Sequence, residues 1–385
     1  VAAAGEHEGV LGTVTSETGL ETDDPKIGMM MTRGRINADL TVGVDVTTVK
    51  GLLSNAALCS PGVKLHGDGF IISDTKAIEL GLGRREGLEH HIRDYRNGRD
   101  LTSRPRRVKA IDLFGLSKDE VRHRFPEVYQ HLLITVRSQR EIQFLKSPTK
   151  DAASYLEKWL EFGKPRTELR PALEDLPRYI ATVETAKHRV FQFLDADILP
   201  DNMLVAISSG DAFHLGVLSS SIHRLWTAKQ GGALEDRPRY TKSRCFDPFP
   251  FPETPDALKR RIRLVAEELD TTRKQVLEEY PDLTLTGLYN VLEKLYLPPS
   301  GLNNKDEDVC QRGRGLILKE LHEELDELVF QAYGWPKTLS DLLFFSLGIL
   351  SKSLTNKYPR RMALIIITQY LGSCGFTYTS ISSNF

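Results

Sequence analysis

The sequence has few cysteines, no long apolar run and almost no net charge, and each of these absences argues against a class of protein. Its four cysteines among 385 residues lie far apart and form no CxxC pair, which argues against a disulfide framework and a zinc ribbon. No apolar run reaches the roughly 18 residues that a transmembrane helix needs, so we expect a cytoplasmic protein without a membrane partner. The formal net charge of -1 favours no partner, although a local basic face would be enough to bind nucleic acid.

Residue clusters that would support a metal site or a nuclease are also absent. His188, His214 and His223 have no cysteine or carboxylate at zinc-ligand spacing, so we predict no metal site. Asp195 and Asp197 lack the strand-borne lysine that completes a PD-(D/E)xK nuclease motif. We interpret these acids as turn and capping residues.

The sequence carries no recognisable methyl-transfer site. The Leu-Gly-Leu-Gly run at 80–83 follows no predicted buried strand, which argues against an S-adenosylmethionine site there. Methylation of an exocyclic amine needs an Asn/Asp-Pro-Pro-aromatic loop that binds the flipped base. Pro298-Pro299 is flanked by Leu297 and Ser300 and fails this pattern. We therefore predict no catalytic and no cofactor-binding residue in this chain.

The central region predicts strands followed by a helix. β-Branched and aromatic residues predict strands at 178–183, 189–194 and 203–207, with a turn at 200–202. One helix is predicted after Asp211, ending at the Gly-Gly pair at 231–232. Its apolar stripe consists of Leu215, Leu218, Ile222 and Leu225. Upstream, Ser117 with Glu120 predicts the N-terminus of a helix within 113–136, which Pro126 interrupts.

From Asp256 onward, apolar stripes predict a small helical bundle. The first stripe stops at Pro281, and the last ends at Gly334-Trp335-Pro336. The stripes contain Leu258, Ile262, Val265, Leu269 and Val276; then Leu288, Leu292 and Leu295; then Leu318, Leu321, Leu325 and Leu328. No stripe lasts four heptads, which favours a bundle over a coiled coil. The sequence thus predicts an α+β fold, in which a mixed sheet-and-helix domain precedes a small helical bundle.

The basic segment at 92–101 is a candidate DNA contact. Arg93, Arg96 and Arg99 can neutralise phosphates, and Asn97-Gly98 is expected to form a tight turn that exposes backbone N–H groups. Arginine is also the commonest reader of guanine. A solvated surface loop is the alternative.

A second basic set flanks the predicted strands. Loops carried on a rigid sheet are where base-reading side chains usually lie, so we expect DNA contacts there. We also expect alanine at Arg178, Lys187, Arg189 and Lys242 to weaken DNA binding. Ordinary surface decoration is the alternative for each residue. The full set of predicted DNA-binding residues is Arg93, Arg96, Asn97, Arg99, Arg178, Lys187, His188, Arg189, Arg239, Lys242 and Arg244.

Several ordered motifs resemble the target-recognition region and helical C-terminus of MmeI-like site-specific DNA adenine-N6 methyltransferases. They span about residues 36–336 and are INADLTVGVDV, YRNGRDL, LPRYIATVETAKHRVFQFLDADILPDNML, DAFHLGVLSS, RYTKSRCFDPFPFP, LTLTGLYNVLEKL and LHEELDELVFQAYGWP. The segment at 92–101 also resembles the I-x-x-Y-x-x-G-x-D signature that precedes recognition domains in enzymes of this broad type.

The resemblance implies DNA target recognition in restriction-modification or phage defence. Its parent enzymes use S-adenosylmethionine, bound by an N-terminal Rossmann-like domain with an NPPF/Y loop, and some are fused to a nuclease. Neither the cofactor glycines nor the NPPF/Y loop has a counterpart in this sequence. We therefore expect the chain to bind double-stranded DNA but not to methylate it alone, and to act with a catalytic methyltransferase domain.

The resemblance also suggests a division of the chain. Residues 1–110 would be an approach segment that follows a missing catalytic domain and contains the basic loop 84–109. Residues 111–254 would be the target-recognition domain, and 255–336 the C-terminal helical domain. Residues 337–385 form an atypical tail, for which we expect a frameshift or truncation, with an ordinary final hairpin as the alternative.

Two other functions fit the same motifs less directly. A free-standing DNA-specificity subunit would partner a separate methyltransferase and would begin near Val1. An unrelated interaction protein with a helical scaffold would show no salt-dependent DNA affinity.

Overall fold

A computed structural model describes residues 9–19, 26–34, 36, 49–234, 237–296 and 302–335. The chain divides into two compact units, Val1–Val49 with Leu343–Phe385, and Lys50–Leu342. Residues 40–46 of the INADLTVGVDV motif, the Pro298-Pro299 pair and the atypical tail at 337–385 lie outside the described residues. None of the described helices is long and apolar enough to cross a membrane.

The described part of the first unit is an antiparallel hairpin. Strands β1 (Gly9–Thr18) and β2 (Lys26–Gly34) pair along their whole length, with a bulge between Val14 and Ser16. Nothing in the sequence analysis predicted this hairpin.

The described strands of the second unit are short. In chain order they are β3 (Cys59–Pro61), β4 (Ile71–Ile72), β5 (Ile92–Arg96), β6 (Val108–Ile111), β7 (Arg178–Val183), β8 (Phe191–Asp195), β9 (Leu199–Pro200), β10 (Leu204–Ile207), β11 (Ala233–Leu234) and β12 (Arg237–Pro238).

The helices surround these strands and then form the C-terminal bundle. They are α1 (Asp74–Glu79), α2 (Gly98–Thr102), α3 (Lys118–Arg124), α4 (Pro126–Leu132), α5 (Ser138–Lys146), α6 (Lys150–Glu157), α7 (Leu169–Leu173), α8 (Ala212–Ser219), α9 (Ser221–Gln230), α10 (Asp256–Glu279), α11 (Leu285–Tyr296), α12 (Asn304–Arg312) and α13 (Gly315–Ala332). Together with the sheets they confirm the predicted α+β fold.

The central sheet has the order β3-β10-β7-β8 and is antiparallel throughout. The three strands predicted from the sequence are therefore confirmed, and β7 has the predicted bounds. Alternate residues of β7 face opposite layers: Tyr179 and Ala181 pack against Leu169, whereas Ile180 packs with the layer that contains Leu215. Both faces of the sheet are covered, which is why the strands are almost continuously apolar.

A second sheet has the order β4-β6-β5-β9. Its parallel pair joins Tyr95 of β5 to Leu199 of β9, and β3 joins β10 in the central sheet. Strands from both sides of residue 110 thus share each sheet. The functional division predicted at that residue stays a prediction.

The helix predicted after Asp211 is in fact two helices, so that prediction was wrong in one respect. Asp211 caps α8 as expected, by accepting from Phe213 N at 2.8 Å. Ser220 then adopts an extended ψ of 158° and caps α9, because its Oγ accepts from His223 N and donates to Val217 O. Serine is a good N-cap because its short side chain competes for backbone N–H groups.

This cap gives a stability prediction with an adjacent control. We expect Ser220→Ala to lower the free energy of unfolding by about 1–2 kcal/mol, since the His223 N–H loses its acceptor and the Val217 carbonyl loses a donor in a buried position. Ser219→Ala removes a buried hydroxyl that has no hydrogen-bond partner among the described residues, and should be close to neutral. Urea unfolding of both variants measures the difference, and equal losses would contradict the assignment of Ser220 as the cap.

The helix predicted within 113–136 is confirmed in part. Ser117 and Glu120 form a capping box at the start of α3, and Pro126 begins α4. A π-helical turn at Leu133–Arg137 then connects α4 to α5. This turn was not predicted from the sequence.

The C-terminal bundle covers one edge of the central sheet. α10 begins at Asp256 and ends before Pro281, as predicted. Its buried Asp270 accepts from Phe193 N at 3.3 Å, and its buried Arg273 donates to Phe191 O at 3.1 Å. These bonds satisfy backbone groups on the free edge of β8, which would otherwise be open to pairing with another chain. The sequence did not predict α12.

Candidate nucleic-acid interface

Three basic segments meet at one end of the central sheet, where β7 stops at Val183. The first segment, residues 97–107, begins there. Its Gly98 packs so closely on Val183 that a Cβ built on the glycine would lie 3.0 Å from Val183 Cγ1. Residues 184–190 form the β7–β8 loop. Residues 237–240 pair with that loop, through a bridge between Thr185 and Arg239 and a bond of 2.7 Å from Tyr240 N to Glu184 O. We call these three segments together the basic end.

The basic end carries a strong excess of positive charge. Its acidic residues are Asp100 and Glu184. Its cationic residues are Arg99, Arg104, Arg106, Arg107, Lys187, Arg189, Arg237 and Arg239. A local excess of this kind is what a polyanion requires, whatever the net charge of the chain.

Three arginines of the basic end have exposed side chains that are available to a partner. Among the residues that the structure describes, the side chains of Arg99, Arg104 and Arg107 make no hydrogen bond and no ion pair. Arg106, between them, donates to Asp100 through Nη2 at 2.8 Å. Arg99 was predicted from the sequence as a DNA contact, but Arg104 and Arg107 were not, although the density of cations in the loop 84–109 was the signal for them.

Asn97 has a different local role from the one predicted. It is the N-cap of α2, and its Oδ1 accepts from the backbone N–H groups of Arg99 and Asp100. Asp100 Oδ2 accepts in turn from Asn97 N at 2.8 Å, which completes a capping box. The expectation of a tight turn with exposed N–H groups was therefore wrong, because the cap already satisfies them.

Arg93 and Arg96 lie on β5, and their side chains contact other residues of this chain. Arg93 donates to the carbonyl oxygens of Asp197 and Ala196 at 2.9 and 2.8 Å. Burial lowers the pKa of its guanidinium, and Asp112 opposes that shift. Arg96 lies 3.9 Å from Asp94 and is mostly covered. Their assignment to DNA stays a prediction.

Arg178 lies at the opposite end of β7 from the basic end. Its guanidinium forms a two-bond pair with Glu267 of α10, donates to Gly210 O and stacks 3.6 Å from the ring centroid of Phe193. The hydrogen bond to Glu267 raises the pKa of Arg178. These contacts join the sheet to the bundle, so the structure does not bring Arg178 together with the other predicted residues.

Arg189 is half-buried within the basic end, and its Nε is shielded from solvent. It donates to Val183 O, to Pro238 O at 2.9 Å and to Thr182 Oγ1 at 3.1 Å. Burial lowers its pKa to about 10, so it stays charged at neutral pH. Its bonds hold residues 237–240 against the β7–β8 loop.

The remaining predicted residues of the loop and of residues 237–244 differ in exposure. Arg239 is 54% exposed and pairs with Glu184 at 2.6 Å. Lys242 is half-buried and Arg244 is exposed, both in a π-helical turn that follows the basic end.

Lys187 and His188 project from the β7–β8 loop towards α11. Lys187 Nζ donates to Asn290 Oδ1 at 2.8 Å and lies 3.0 Å from Glu293 Oε2. His188 Nε2 lies 2.8 Å from the same Asn290 oxygen. That oxygen can only accept, so this ring nitrogen carries the proton. Neither Asn290 nor Glu293 was predicted from the sequence as a functional residue.

Three covered histidines, on α8, α9 and α13, make the stability of the fold sensitive to acid. Burial, and then the nearby Arg189, lowers the pKa of His223 to about 3. Its Nε2 lies 3.1 Å from the hydroxyl of Tyr240, and its Nδ1 has no partner among the described residues. Burial also lowers the pKa of His214 and of His322. All three imidazoles must therefore be neutral in the folded state near neutral pH.

A pH dependence of stability follows with a defined sign. Because the folded pKa of His223 is depressed, its contribution is fully present above about pH 6.5 and is lost as the pH falls towards 3. At pH 5 this residue alone should cost about 2 kcal/mol. We expect His223→Gln to reduce the loss of unfolding free energy between pH 7.5 and 5, measured by urea titration. The exposed His90→Gln is the control, and an equal reduction there would contradict the assignment.

The turns at Gly81 and Gly83 do not have the geometry of an S-adenosylmethionine loop. The Leu-Gly-Leu-Gly run at 80–83 places Gly81 and Gly83 at φ values of +106° and +79°, in the turns after α1. Those turns follow a helix rather than a buried strand and lead into no helix N-terminus of the dinucleotide-binding type. No group of three or more potential ligands among the described residues is placed to hold a metal ion.

Comparison with known proteins identifies the family. The model of the MmeI target recognition domain matches residues 46–253, which is more than half of the chain and includes all three segments of the basic end. The chain belongs to the MmeI target-recognition-domain family. The resemblance predicted from the sequence motifs is thereby confirmed over this range.

Two relatives agree with this family assignment. DNA methyltransferase A of Bacillus subtilis (strain 168) is 30% identical over 147 residues, which are 38% of this chain and 14% of that protein. The solved structure of the Type IIL restriction-modification enzyme MmeI in complex with DNA aligns over 83% of this chain and 39% of that one. The TM-score is 0.57 at 21% identity, a likeness of fold. This chain therefore spans only a minor part of either relative.

Proposed function

We propose that this chain recognises a DNA target site for a site-specific DNA adenine-N6 methyltransferase of the restriction-modification type. The match of residues 46–253 to the target recognition domain carries this proposal. The concentration of exposed cations at the basic end supports it on physical grounds, because phosphate contacts provide most of the affinity of a DNA-binding surface.

The proposal divides the chemistry between this chain and a catalytic domain. Methyl transfer and S-adenosylmethionine binding would belong to a methyltransferase domain that acts with this chain, as the resemblance of the sequence motifs implies. The chain itself would fix the position of the duplex while the catalytic domain extracts the adenine. A specificity subunit with a separate methyltransferase would bind DNA in the same way, and no observation favours it over the first arrangement.

A salt titration tests DNA binding directly. We expect the chain to bind a labelled duplex of about 30 base pairs with a dependence of log K on log salt near -4, from four to five phosphate contacts. Fluorescence anisotropy at four salt concentrations measures this slope. An absence of binding at about 50 mM salt would refute the proposal, because electrostatic contacts are strongest there.

A further inference from the structure

We propose that α11 sets the DNA affinity of the β7–β8 loop. Asn290 would hold Lys187 and His188 in position, while Glu293 would compete with DNA phosphate for Lys187. This inference rests on the proposed function, because it concerns how the same surface is tuned. It assigns a role in DNA recognition to the helical bundle, which lies outside the family match.

The positioning part follows from one shared oxygen. Asn290 Oδ1 accepts hydrogen bonds from Lys187 Nζ and His188 Nε2, each at 2.8 Å. Asn290 lies on a helix more than 100 residues further along the chain than these two donors. The helix is itself fixed, since the neighbouring Tyr289 is buried and its hydroxyl lies 2.8 Å from His322 Nε2. A rigid acceptor thus reduces the freedom of two side chains that would otherwise swing with the loop.

The competing part follows from the difference between a neutral and a charged acceptor. Asn290 is neutral, so it holds the Lys187 ammonium without cancelling its charge. Glu293 cancels that charge, with its Oε2 3.0 Å from Lys187 Nζ. Both side chains are 54% exposed, and an ion pair in that environment is weak. An arriving phosphate can therefore replace Glu293 while Asn290 stays bound, because an ammonium has three donors.

Glu293→Gln tests the competition. Removing the carboxylate should raise duplex affinity about threefold to fivefold at moderate salt, as expected for a weak exposed pair. In a Lys187→Ala background the same change should have less than about a third of that effect, because Glu293 would act through Lys187. Glu323→Gln is the matched control: it removes a carboxylate of similar exposure from the Lys319 pair on α13, and should change affinity less than twofold.

Asn290→Ala tests the positioning. Affinity should fall about twofold to fivefold, and the salt slope should fall by part of the ~0.9 that one phosphate contact contributes. A purely structural role would leave the slope unchanged. The loss should also shrink in the Lys187→Ala background, because one of the two positioned groups is then absent.

The outcomes separate this inference from the proposed function. If the unmodified chain binds duplex DNA and Lys187→Ala weakens it, but Glu293→Gln has no effect or an equal effect in both backgrounds, the inference is overturned and the proposed function stands. An unchanged salt slope in Asn290→Ala would overturn the positioning role in the same way. If the unmodified chain does not bind duplex DNA at low salt, both fail together.

Discussion

Removing four exposed cations from the basic end is expected to lower duplex affinity by about 10²- to 10³-fold at moderate salt. The variant replaces Arg99, Arg104, Arg107 and Lys187 with alanine. All four side chains are exposed, so each can reach a phosphate, and each can be replaced without disturbing the fold. Losing four contacts should also reduce the salt slope by about 3 to 4, because each releases close to one counterion. Anisotropy titrations at several salt concentrations measure both quantities.

A variant with the same charge change provides the control for this experiment. Four exposed cations on or near α5 and α6 lie outside the basic end, and their removal should change affinity less than about threefold, the effect of a general change in net charge. They are Arg137, Lys146, Lys150 and Lys158. Equal losses in the two variants would mean that DNA responds to the total charge of the chain. The basic end would then have no special role.

Replacing Arg189 is expected to destabilise the protein more than any other change at the basic end. Arg189→Met should lower the free energy of unfolding by about 3 kcal/mol, because buried carbonyl oxygens lose a charged donor. Among these acceptors are Val183 O and Pro238 O. The neighbouring Arg239→Met is the matched control, and should cost less than about 1 kcal/mol, because its pair with Glu184 is largely exposed.

Denaturant unfolding of the two variants decides this prediction. A loss of less than 1 kcal/mol for Arg189→Met would mean that its guanidinium does not hold residues 237–240 to the β7–β8 loop. The result also affects how DNA-binding data are interpreted. A weaker affinity in an Arg189 variant would follow from a displaced loop as readily as from a lost contact, so Arg189 is a poor reporter of DNA contact.

Elements whose signals are local could be predicted from the sequence. The bounds of β7 follow from a run of β-branched and aromatic residues, and the start of α3 follows from the Ser117 and Glu120 pair. The C-terminal apolar stripes predicted α10, α11 and α13, because apolar residues that repeat about every 3.6 positions indicate an amphipathic helix even when its partner surface is unknown. The family resemblance also rested on motifs that are contiguous in the sequence.

Local signals that compete with one another were misread. The apolar stripe after Asp211 continues across Ser220, so periodicity alone predicted one helix where the serine cap makes two. Asn97-Gly98 is typical of a tight turn, but Asp100 three residues after Asn97 made a capping box equally consistent with the sequence. In the structure the capping box satisfies the backbone N–H groups of Asn97, Arg99 and Asp100.

The division of the cations into structural and available groups could not be predicted, since it depends on distant partners. Arg178 meets Glu267, which is 89 residues away, and Lys187 meets Asn290, which is 103 residues away. Nothing in the local sequence distinguishes Arg189, whose guanidinium bonds to the protein itself, from Arg99, which is exposed. Long-range packing decides which basic side chains remain available to a partner.

Chemical footprinting of arginine and lysine tests the central claim, that the basic end contacts duplex DNA. The chain would be modified with phenylglyoxal and acetic anhydride, with and without duplex DNA, and each site quantified by mass spectrometry. We expect DNA to protect Arg99, Arg104, Arg107 and Lys187 and to leave Arg137, Lys146, Lys150 and Lys158 reactive. Protection of the second group, or no difference between the two groups, would contradict the claim.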